Sequence, residues 1–211
     1  NGWTLQNAVW EIGVPTSGAG QAHHSNCVAA TVLAGNYPDN QWGRLVSPPF
    51  VVPSADQLPR LRFWHWWSFS CDDYGQVQIS TNNGVSWQTV AGGYWGDSYG
   101  YWTRAWVDLR PYAGQTLRVG FYFYSHNNTS SGCGYGSPDV ASGWYVDEVT
   151  VETGPETPIT FPEGFESGWG GWQVDYIGGR ATDFGIWQIG VPTYGPGSAH
   201  AGVGCAATVL A

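Results

Sequence analysis

Aromatic side chains on a glycine-rich stretch, residues 92–102, are the groups in this sequence best suited to bind a ligand. Exposed planar rings beside a carboxylate suit stacking on sugar rings. The alternative, which we favour because the chain repeats itself, is that the rings pack over the edge of the fold or against a neighbouring unit. The candidate ligand-binding residues are Tyr94, Trp95, Asp97, Tyr99, Tyr101 and Trp102.

Four cysteines form the second group of reactive side chains, and none of them belongs to a Cys-x-x-Cys pair. The spacing gives little support to a zinc knuckle or a thioredoxin-type motif. Cysteines in an acidic, lysine-free chain favour an oxidising, extracellular setting. Cys71 ends one predicted strand and Cys133 follows another in the same unit, so we predict a Cys71–Cys133 disulfide. Cys27 and Cys205 lie in corresponding regions of two units, and their pairing is left open.

Histidines precede two of these cysteines, with His23 and His24 before Cys27 and His200 before Cys205. This spacing matches no tight set of metal ligands and offers no third ligand. We therefore interpret them as loop histidines that hydrogen-bond to the backbone. The sequence contains no Gly-x-Ser-x-Gly motif, and no acid–base pair can be named from spacing, so we predict no catalytic residues and no enzymatic activity.

The composition favours strands and argues against several partners. The 211 residues include 31 Gly, 14 Trp, 12 Tyr and 8 Phe, and only 11% are charged. Aromatic residues and glycine are typical of strands and tight turns rather than helices. A net charge of −9 argues against a nucleic-acid partner. No run approaches the ~18 apolar residues of a membrane span.

The sequence repeats itself at an offset of 177 residues. The segment Trp10-Glu-Ile-Gly-Val-Pro-Thr16 returns as Trp187-Gln-Ile-Gly-Val-Pro-Thr193, and Ala29-Ala-Thr-Val-Leu-Ala34 returns as the last six residues. Each copy is one folding unit of an array. We predict a repeat unit over residues 1–152, a Pro- and Thr-rich linker over 153–161 and the start of a second repeat over 162–211, which is too short to bury a core without a partner.

Alternating apolar residues predict strands along the first unit. Leu61–Phe69 and Leu117–Tyr124 each place one apolar face inward, and His65 falls on the inward face as a core histidine. Asn82–Gly84 predicts a hairpin turn, and the prolines within and after Leu45–Val52 predict an edge strand there. Six or more strands without an amphipathic helix predict an all-β fold, an antiparallel jelly-roll sandwich.

A carboxylate lies in the closing predicted strand, Trp144–Val151. By alternation Asp147 shares a face with Tyr145, and we expect that face to meet the core. A carboxylate facing the core must be paired, hydrogen-bonded or metal-bound, and Ca²⁺ takes oxygen ligands of this kind. The sequence therefore leaves open whether Asp147 binds a structural calcium or accepts backbone N–H groups. Glu148 points to the opposite face, where we expect it to be solvated.

The order of these motifs resembles the MAM-like jelly-roll modules of secreted bacterial proteins, which are found beside choice-of-anchor sorting tails and in immune-inhibitor-type metallopeptidases. The resemblance covers residues 3–151 and rests on short motifs such as Leu61-Arg-Phe-Trp-His65 and Gly143-Trp-Tyr-Val-Asp-Glu-Val149. It implies a non-catalytic extracellular sandwich that often holds a structural calcium. It also implies that Glu166, in Gly164-Phe-Glu166, is the calcium ligand that matches Asp147.

These patterns together predict a structural module of an extracellular or cell-surface repeat protein. The first unit lacks the Gly-Phe-Glu strand of the modules that it resembles, whereas residues 162–211 contain it without the rest of a sandwich. Open sheet edges recruit strands from other chains, so we predict that copies of the chain complete one another head to tail as an array or filament, unless one longer polypeptide continues the repeat. The alternative is a carbohydrate-binding or adhesion module of a secreted enzyme, which would leave a row of rings exposed in one concavity.

Overall fold

A computed structural model describes residues 2–7, 9–126, 140–155, 162–169, 172, 187–208 and 210. Over these residues the chain is almost entirely β-structure, with two short 3₁₀ helices at Ala55–Gln57 and Arg110–Tyr112. None of the helices in this part of the chain is long and apolar enough to cross a membrane. The strands are β1 (Thr4–Gln6), β2 (Glu11–Gly13), β3 (Val28–Ala30), β4 (Trp42–Val46), β5 (Phe50–Val51), β6 (Arg60–Ser68), β7 (Tyr74–Ser80), β8 (Gln88–Tyr94), β9 (Thr103–Asp108), β10 (Thr116–Tyr124), β11 (Gly143–Glu152), β12 (Gln188–Gly190) and β13 (Cys205–Ala207).

Two antiparallel sheets pack face to face, which confirms the predicted all-β jelly-roll sandwich. The front sheet has the strand order β1-β4-β10-β7-β8, with β5 added to one end of β10. The back sheet has the order β2-β3-β11-β6-β9. Most neighbours in each sheet are distant in sequence, so the sandwich depends on long-range pairing of the kind found in jelly rolls.

The core lies between the sheets and consists of the inward faces that alternation predicts. β6 contributes Leu61, Phe63 and Trp67, and β10 contributes Phe121 and Phe123, all at most 1% exposed. Aromatic rings meet there edge to face, as for Phe63 and Phe121 at 5.1 Å between centroids, an arrangement that adds to the gain from burial. The hairpin predicted at Asn82–Gly84 joins β7 to β8, which pair antiparallel.

His65 is a core histidine, as predicted. It is 2% exposed, and its Nδ1 accepts a hydrogen bond of 3.3 Å from Trp144 Nε1. Its ring packs against Trp67 and Tyr94, each at 4.6 Å between centroids. Burial lowers the pKa of His65 to about 3, so the ring is neutral in the folded protein at ordinary pH.

Two predictions about strands are wrong in part. Leu45–Val52 is not one edge strand, because β4 pairs with both β1 and β10, and only β5 lies at an edge. Asp147 does not face the core, because Trp144 and Val146 do. A β-bulge between Asp147 and Thr150, with Glu148 at φ 50°, shifts the phase of β11, so that Val149, which alternation alone would place on the same face as Asp147, packs on the core.

The sequence repeat is also visible as a repeated hairpin. β12 and β13 pair with Gln188 opposite Ala207, which matches Glu11 opposite Ala30 in β2 and β3. In the first copy β3 also pairs with β11, whereas within the described residues β13 pairs with β12 alone. The predicted boundaries at residues 152 and 162 stay predictions.

Candidate functional site

The outer face of the front sheet carries aromatic and amide side chains around a central arginine, Arg44. The three central strands of this face are β4, β10 and β7, and their register sets Arg44 beside Tyr122 and Tyr122 beside Gln76. Because side chains alternate along a strand, these residues point outward while Leu45, Phe121 and Val77 between them enter the core.

These side chains line a groove of about 490 Å³. β4, β10 and β7 provide its floor, and Trp87, just before β8, closes one side. The volume falls within the roughly 300–1,000 Å³ typical of small-ligand sites. The lining residues are Trp42, Arg44, Tyr74, Gln76, Gln78, Trp87 and Tyr122.

Aromatic rings form a continuous row along the groove. Trp42 and Tyr122 lie 6.3 Å apart between ring centroids, and Tyr122 and Tyr74 are likewise 6.3 Å apart. Tyr74 then contacts Trp95 at 4.8 Å. Trp42 is 43% exposed, so its face is open to a ligand.

Arg44 lies in the middle of this face between two rings. Its guanidinium carbon is 4.4 Å from the Trp87 centroid and 5.1 Å from the Tyr122 centroid. Its Nε donates a hydrogen bond of 2.9 Å to Gln78 Oε1, and its Nη1 donates to Gln6 Oε1. Burial lowers the pKa of the Arg44 guanidinium from its ordinary value, but arginine stays protonated at any physiological pH.

Glutamine amides extend the polar network beside Arg44. Gln76 Oε1 accepts hydrogen bonds from Gln78 Nε2 at 3.2 Å and from Thr89 Oγ1 at 3.0 Å. The Gln76 amide nitrogen donates to no group in the described residues and lines the groove. The face therefore combines flat apolar rings with fixed hydrogen-bond donors.

Gly120 provides the room that Arg44 and Trp87 need. A Cβ at this position would lie 2.5 Å from Arg44 Cδ and 2.8 Å from the Trp87 ring. Real Cβ atoms almost never approach other atoms so closely, so the absent side chain lets both groups lie flat across β10.

The sequence did not predict this groove, and the residues of the predicted aromatic loop have separate roles. Tyr94 is 6% exposed and belongs to the core, while Trp95 packs on Tyr74 at the end of the groove. Asp97 Oδ1 accepts a hydrogen bond of 2.7 Å from Tyr99 N, as a turn-forming carboxylate does. Tyr99 is 48% exposed. Ligand binding by this loop stays a prediction.

The other two aromatic residues of the loop are half-buried, and Trp102 packs on the outer face of the back sheet. Its neighbours there are Trp66 and Tyr145 and the ring of His23, 5.9 Å away. The loop as a whole therefore places its rings on both sides of the sandwich edge and forms no single stacking platform. Tyr101 donates its backbone N–H to Ser98 O at 3.0 Å.

Asp147 and Glu148 hold the loop that contains the two adjacent histidines. Asp147 Oδ2 accepts a hydrogen bond of 3.0 Å from His24 N, and its Oδ1 accepts one of 2.8 Å from Glu148 N. The carboxylate of Glu148 pairs with His23 Nδ1, and the His23 ring stacks on Trp64 at 3.8 Å. Glu148 is therefore exposed but hydrogen-bonded to His23, rather than simply solvated as predicted.

Glu166 holds the corresponding loop of the second copy. Its carboxylate accepts hydrogen bonds from Val203 N at 3.0 and 3.2 Å and from Gly204 N at 3.0 Å. The two predicted calcium ligands, Glu166 and Asp147, thus each accept backbone N–H groups. The described residues contain no group of three or more His, Cys, Asp or Glu side chains that could hold a metal ion. Calcium binding stays a prediction.

The glycines around Glu166 distinguish the second copy from the first. A Cβ at Gly202 would lie 2.1 Å from Glu166 Oε1, and one at Gly204 would lie 2.7 Å from the backbone oxygen of Phe165. At the repeat offset the first copy has Ser25 and Cys27 at these two positions. In the second copy Gly164–Glu166 is not a strand, and the first copy could not accommodate a Gly-Phe-Glu segment in the same way without rearrangement.

Of the three cysteines among the described residues, one is bonded and two are free. Cys71 is disulfide-bonded, and Cys133, its predicted partner, lies outside the described residues. Cys27 and Cys205 are free, so the chain does not pair them with each other. The Cys71–Cys133 pairing itself stays a prediction.

Fold and site together define a jelly-roll β-sandwich with an aromatic-lined groove on one sheet. No family model matches the chain, so its membership in the MAM-like modules stays a prediction. Bacillopeptidase F of Bacillus subtilis (strain 168) is 33% identical over 153 residues, which make up 71% of this chain and 10% of that protein. The chain therefore corresponds to about a tenth of that relative.

Two solved structures are similar to this chain in fold. The K1 cleaved adhesin domain of Lys-gingipain from Porphyromonas gingivalis W83 matches with a TM-score of 0.45 and 17% identity, covering 73% of this chain and 92% of that one. TmCBM61, solved with β-1,4-galactotriose, matches with a TM-score of 0.44 and 11% identity, covering 72% and 88%.

Proposed function

We propose that this chain is a non-catalytic carbohydrate-binding module that holds a glycan in the groove of the front sheet. The observation that carries this proposal is the row of rings from Trp42 through Tyr122 and Tyr74 to Trp95, with Arg44 beside it. A row of rings in one concavity is what distinguishes a binding module from a module that buries its rings at an interface.

The chemistry of the groove suits a sugar chain. The C–H faces of pyranose rings pack on flat aromatic faces, and the hydroxyls at their edges need directed donors and acceptors. The open face of Trp42 supplies the flat aromatic surface. The amides of Gln76 and Gln78 and the Arg44 guanidinium supply the directed hydrogen-bond groups. The groove is floored by three paired strands, so the site is largely preformed and little ordering is required on binding.

An extracellular or cell-surface location agrees with this function. The bonded state of Cys71 needs an oxidising compartment, and extended glycans are found outside cells. We therefore propose that the module acts outside the cell, attached to a larger protein.

Replacing Trp42 by Ala is expected to weaken glycan binding at least tenfold, because it removes the most exposed ring of the row. Trp187→Ala is the matched control, since Trp187 is also exposed, at 49% against 43% for Trp42, and lies outside the groove. The measurement is isothermal titration with a glycan first identified on an array of plant and microbial polysaccharides.

A second variant distinguishes the groove from the loop predicted first. Tyr99→Ala removes an exposed loop ring and is expected to leave affinity unchanged. If Tyr99→Ala abolishes binding while Trp42→Ala binds like the parent, the ligand site is the loop and the groove proposal is wrong.

Assembly into an array is the second candidate function, and the open edge of β13 favours it. Its counterpart β3 pairs on both sides, whereas β13 pairs with β12 alone in the described part of the chain. The side chains of Ser25 and Cys27 occupy the space that the Gly-Phe-Glu segment of a neighbouring chain would need on the first unit. We therefore propose that copies of the chain associate at the β13 edge.

Sedimentation velocity of the full chain over a concentration series tests this assembly. We expect oligomers whose mass grows with concentration, and we expect Ala206→Lys to abolish them, because lysine on an edge strand prevents pairing with another chain. A chain that stays monomeric at every concentration contradicts assembly, and it leaves the glycan-binding proposal untouched.

A further inference from the structure

We infer that the groove is selective for glycans that carry carboxylates, such as uronic-acid polymers, and that Arg44 is the residue that binds the carboxylate. This inference rests on the proposed glycan-binding function and names the class of glycan. It starts from the way this chain distributes its few positive charges.

Arg44 differs from most other arginines of the chain in its partners. Four of the six described arginines have a carboxylate partner, in keeping with a chain that has 16 acidic and 7 basic residues. Arg44 is hydrogen-bonded only to neutral amide oxygens, and no acidic residue lines the groove. The paired arginines are Arg60, Arg62 and Arg104 with Glu152, and Arg110 with Asp108.

The free donors of Arg44 lie in the groove. A guanidinium has five N–H donors, and the hydrogen bonds to Gln78 and Gln6 use one on Nε and one on Nη1. Both N–H groups of Nη2 and the second of Nη1 have no acceptor among the described residues. Adjacent donors on the two terminal nitrogens match the two oxygens of a carboxylate.

The surroundings of Arg44 also fix its orientation. The rings of Trp87 and Tyr122 lie against the guanidinium, and Gly120 leaves the space in which its stem crosses β10. A half-buried cation without a counter-ion loses hydration, and the two hydrogen bonds and two ring contacts of Arg44 replace it only in part. A ligand carboxylate restores that interaction, and little side-chain entropy is lost because the guanidinium is already held in place.

A uronic-acid polymer fits both halves of the site better than an acidic peptide does. Each residue of such a polymer presents a sugar face to the rings and a carboxylate at its edge. The aromatic row beside Arg44 would have no stacking partner in a chain of glutamates. We therefore assign the site to the acidic sugar.

The test compares oligogalacturonate and oligomannuronate with their methyl esters, using the full chain and isothermal titration. Esterification removes the charge but keeps the sugar ring. We expect at least one acid to bind ten times more tightly than its ester in 50 mM salt, and we expect that preference to shrink as salt rises. Poly-glutamate is the control for charge alone and is expected not to bind.

Arg44→Gln is expected to remove the preference for the acid and to leave the residual affinity for the ester. Arg118→Gln is the matched control, because Arg118 also lies on the front sheet with only neutral partners but does not line the groove. The ester comparison in the parent chain needs no variant, so it stays decisive even if Arg44→Gln fails to fold.

Three outcomes overturn the inference. Equal binding of both acids and their esters shows that the groove does not discriminate by the charge of the ligand. If that binding is lost in Trp42→Ala, the glycan-binding function still stands. Binding of poly-glutamate as tight as that of the acids shows attraction by charge alone. Failure of every polysaccharide on the array to bind overturns the glycan-binding function together with this inference.

Discussion

Replacing Glu152 by Gln is expected to destabilise the folded chain by about 3 kcal/mol. The Glu152 carboxylate lies 3.3 Å from Arg62 Nε, 3.0 Å from Arg104 Nη2 and 3.4 Å from Arg60 Nε. Arg62 is only 3% exposed, and its pKa is lowered by burial and by the charge of Arg104. Glu152 is the carboxylate that these three arginines share within the described residues, and breaking a buried ion pair costs about 3–5 kcal/mol.

The expected value lies at the low end of that range for a structural reason. The Glu152 side chain is 31% exposed, so water partly replaces the lost carboxylate. The contact with Arg60 is one of charge only, since the Nε of Arg60 has no hydrogen-bond partner and its Nη1 donates to Gly154 O at 2.9 Å instead.

Urea unfolding at pH 7 gives the free energy of unfolding for this comparison. Asp108→Asn is the control, because Asp108 pairs at 2.7 Å with Arg110, whose side chain is 53% exposed. An exposed pair is worth about 0–1 kcal/mol. If Glu152→Gln costs no more than Asp108→Asn, the three arginines do not depend on this carboxylate.

The sandwich could be predicted from sequence because its strands alternate strictly. Phe63 and Phe121 lie in runs where every second side chain is apolar, and both enter the core. His65 interrupts such a run without breaking the strand, since Trp144 supplies its hydrogen bond. Alternation fixes which residues share a face, and this is all that the prediction of these strands required.

Alternation fails where the backbone gains a residue. In β11 Trp144 and Val146 face the core and Asp147 alternates away from it, and the bulge with Glu148 at φ 50° reverses the faces beyond it, so that Val149 packs on the core. A positive φ at a glutamate has no signature in a single sequence. The role of Asp147 in holding His24 N was therefore one of two alternatives left open, and the structure supports the backbone N–H contact.

The groove could not be located from the sequence because its residues come from three strands that are neighbours only in space. Trp42-x-Arg44, Tyr74-x-Gln76-x-Gln78 and Tyr122-x-Tyr124 each show aromatic and amide residues on an outward face. That pattern marks a functional face, but only the order β4-β10-β7 brings the three segments together. The loop at residues 92–102 has the denser cluster of rings, yet Tyr94 there belongs to the core.

Lowering the pH from 6.5 towards 4 is expected to destabilise the chain through His65 by up to about 1.4 kcal/mol per pH unit. The pKa of His65 is about 3 when folded, because the ring is buried, against 6.5 for an unperturbed histidine. Below pH 6.5 the unfolded chain therefore binds a proton that the folded chain does not. Stability from the neutral ring is fully present above pH 6.5 and is lost as the pH falls towards 3.

Asp73 titrates over part of this range with the opposite sign. Burial raises its pKa to about 6 from 3.8, despite the hydrogen bonds that it accepts from Tyr37 and from His126 N. Between pH 3.8 and 6 the folded chain therefore holds the proton more tightly than the unfolded chain. Stability from Asp73 falls as the pH rises through 6, so the two groups partly cancel in the parent protein.

The variant His65→Phe separates the two groups, because an apolar ring of similar size keeps the packing and cannot titrate. The quantity to measure is the unfolding free energy of the parent minus that of His65→Phe, from urea unfolding at half-unit steps between pH 4 and 8. We expect this difference to be flat above pH 7 and to fall steadily below 6.5, whereas the corresponding difference for Asp73→Asn is expected to rise as the pH falls below 6. A difference that is constant over the whole range would mean that the pKa of His65 is the same in the folded and unfolded chains, as for a solvated ring, and the buried environment described for His65 would then be wrong.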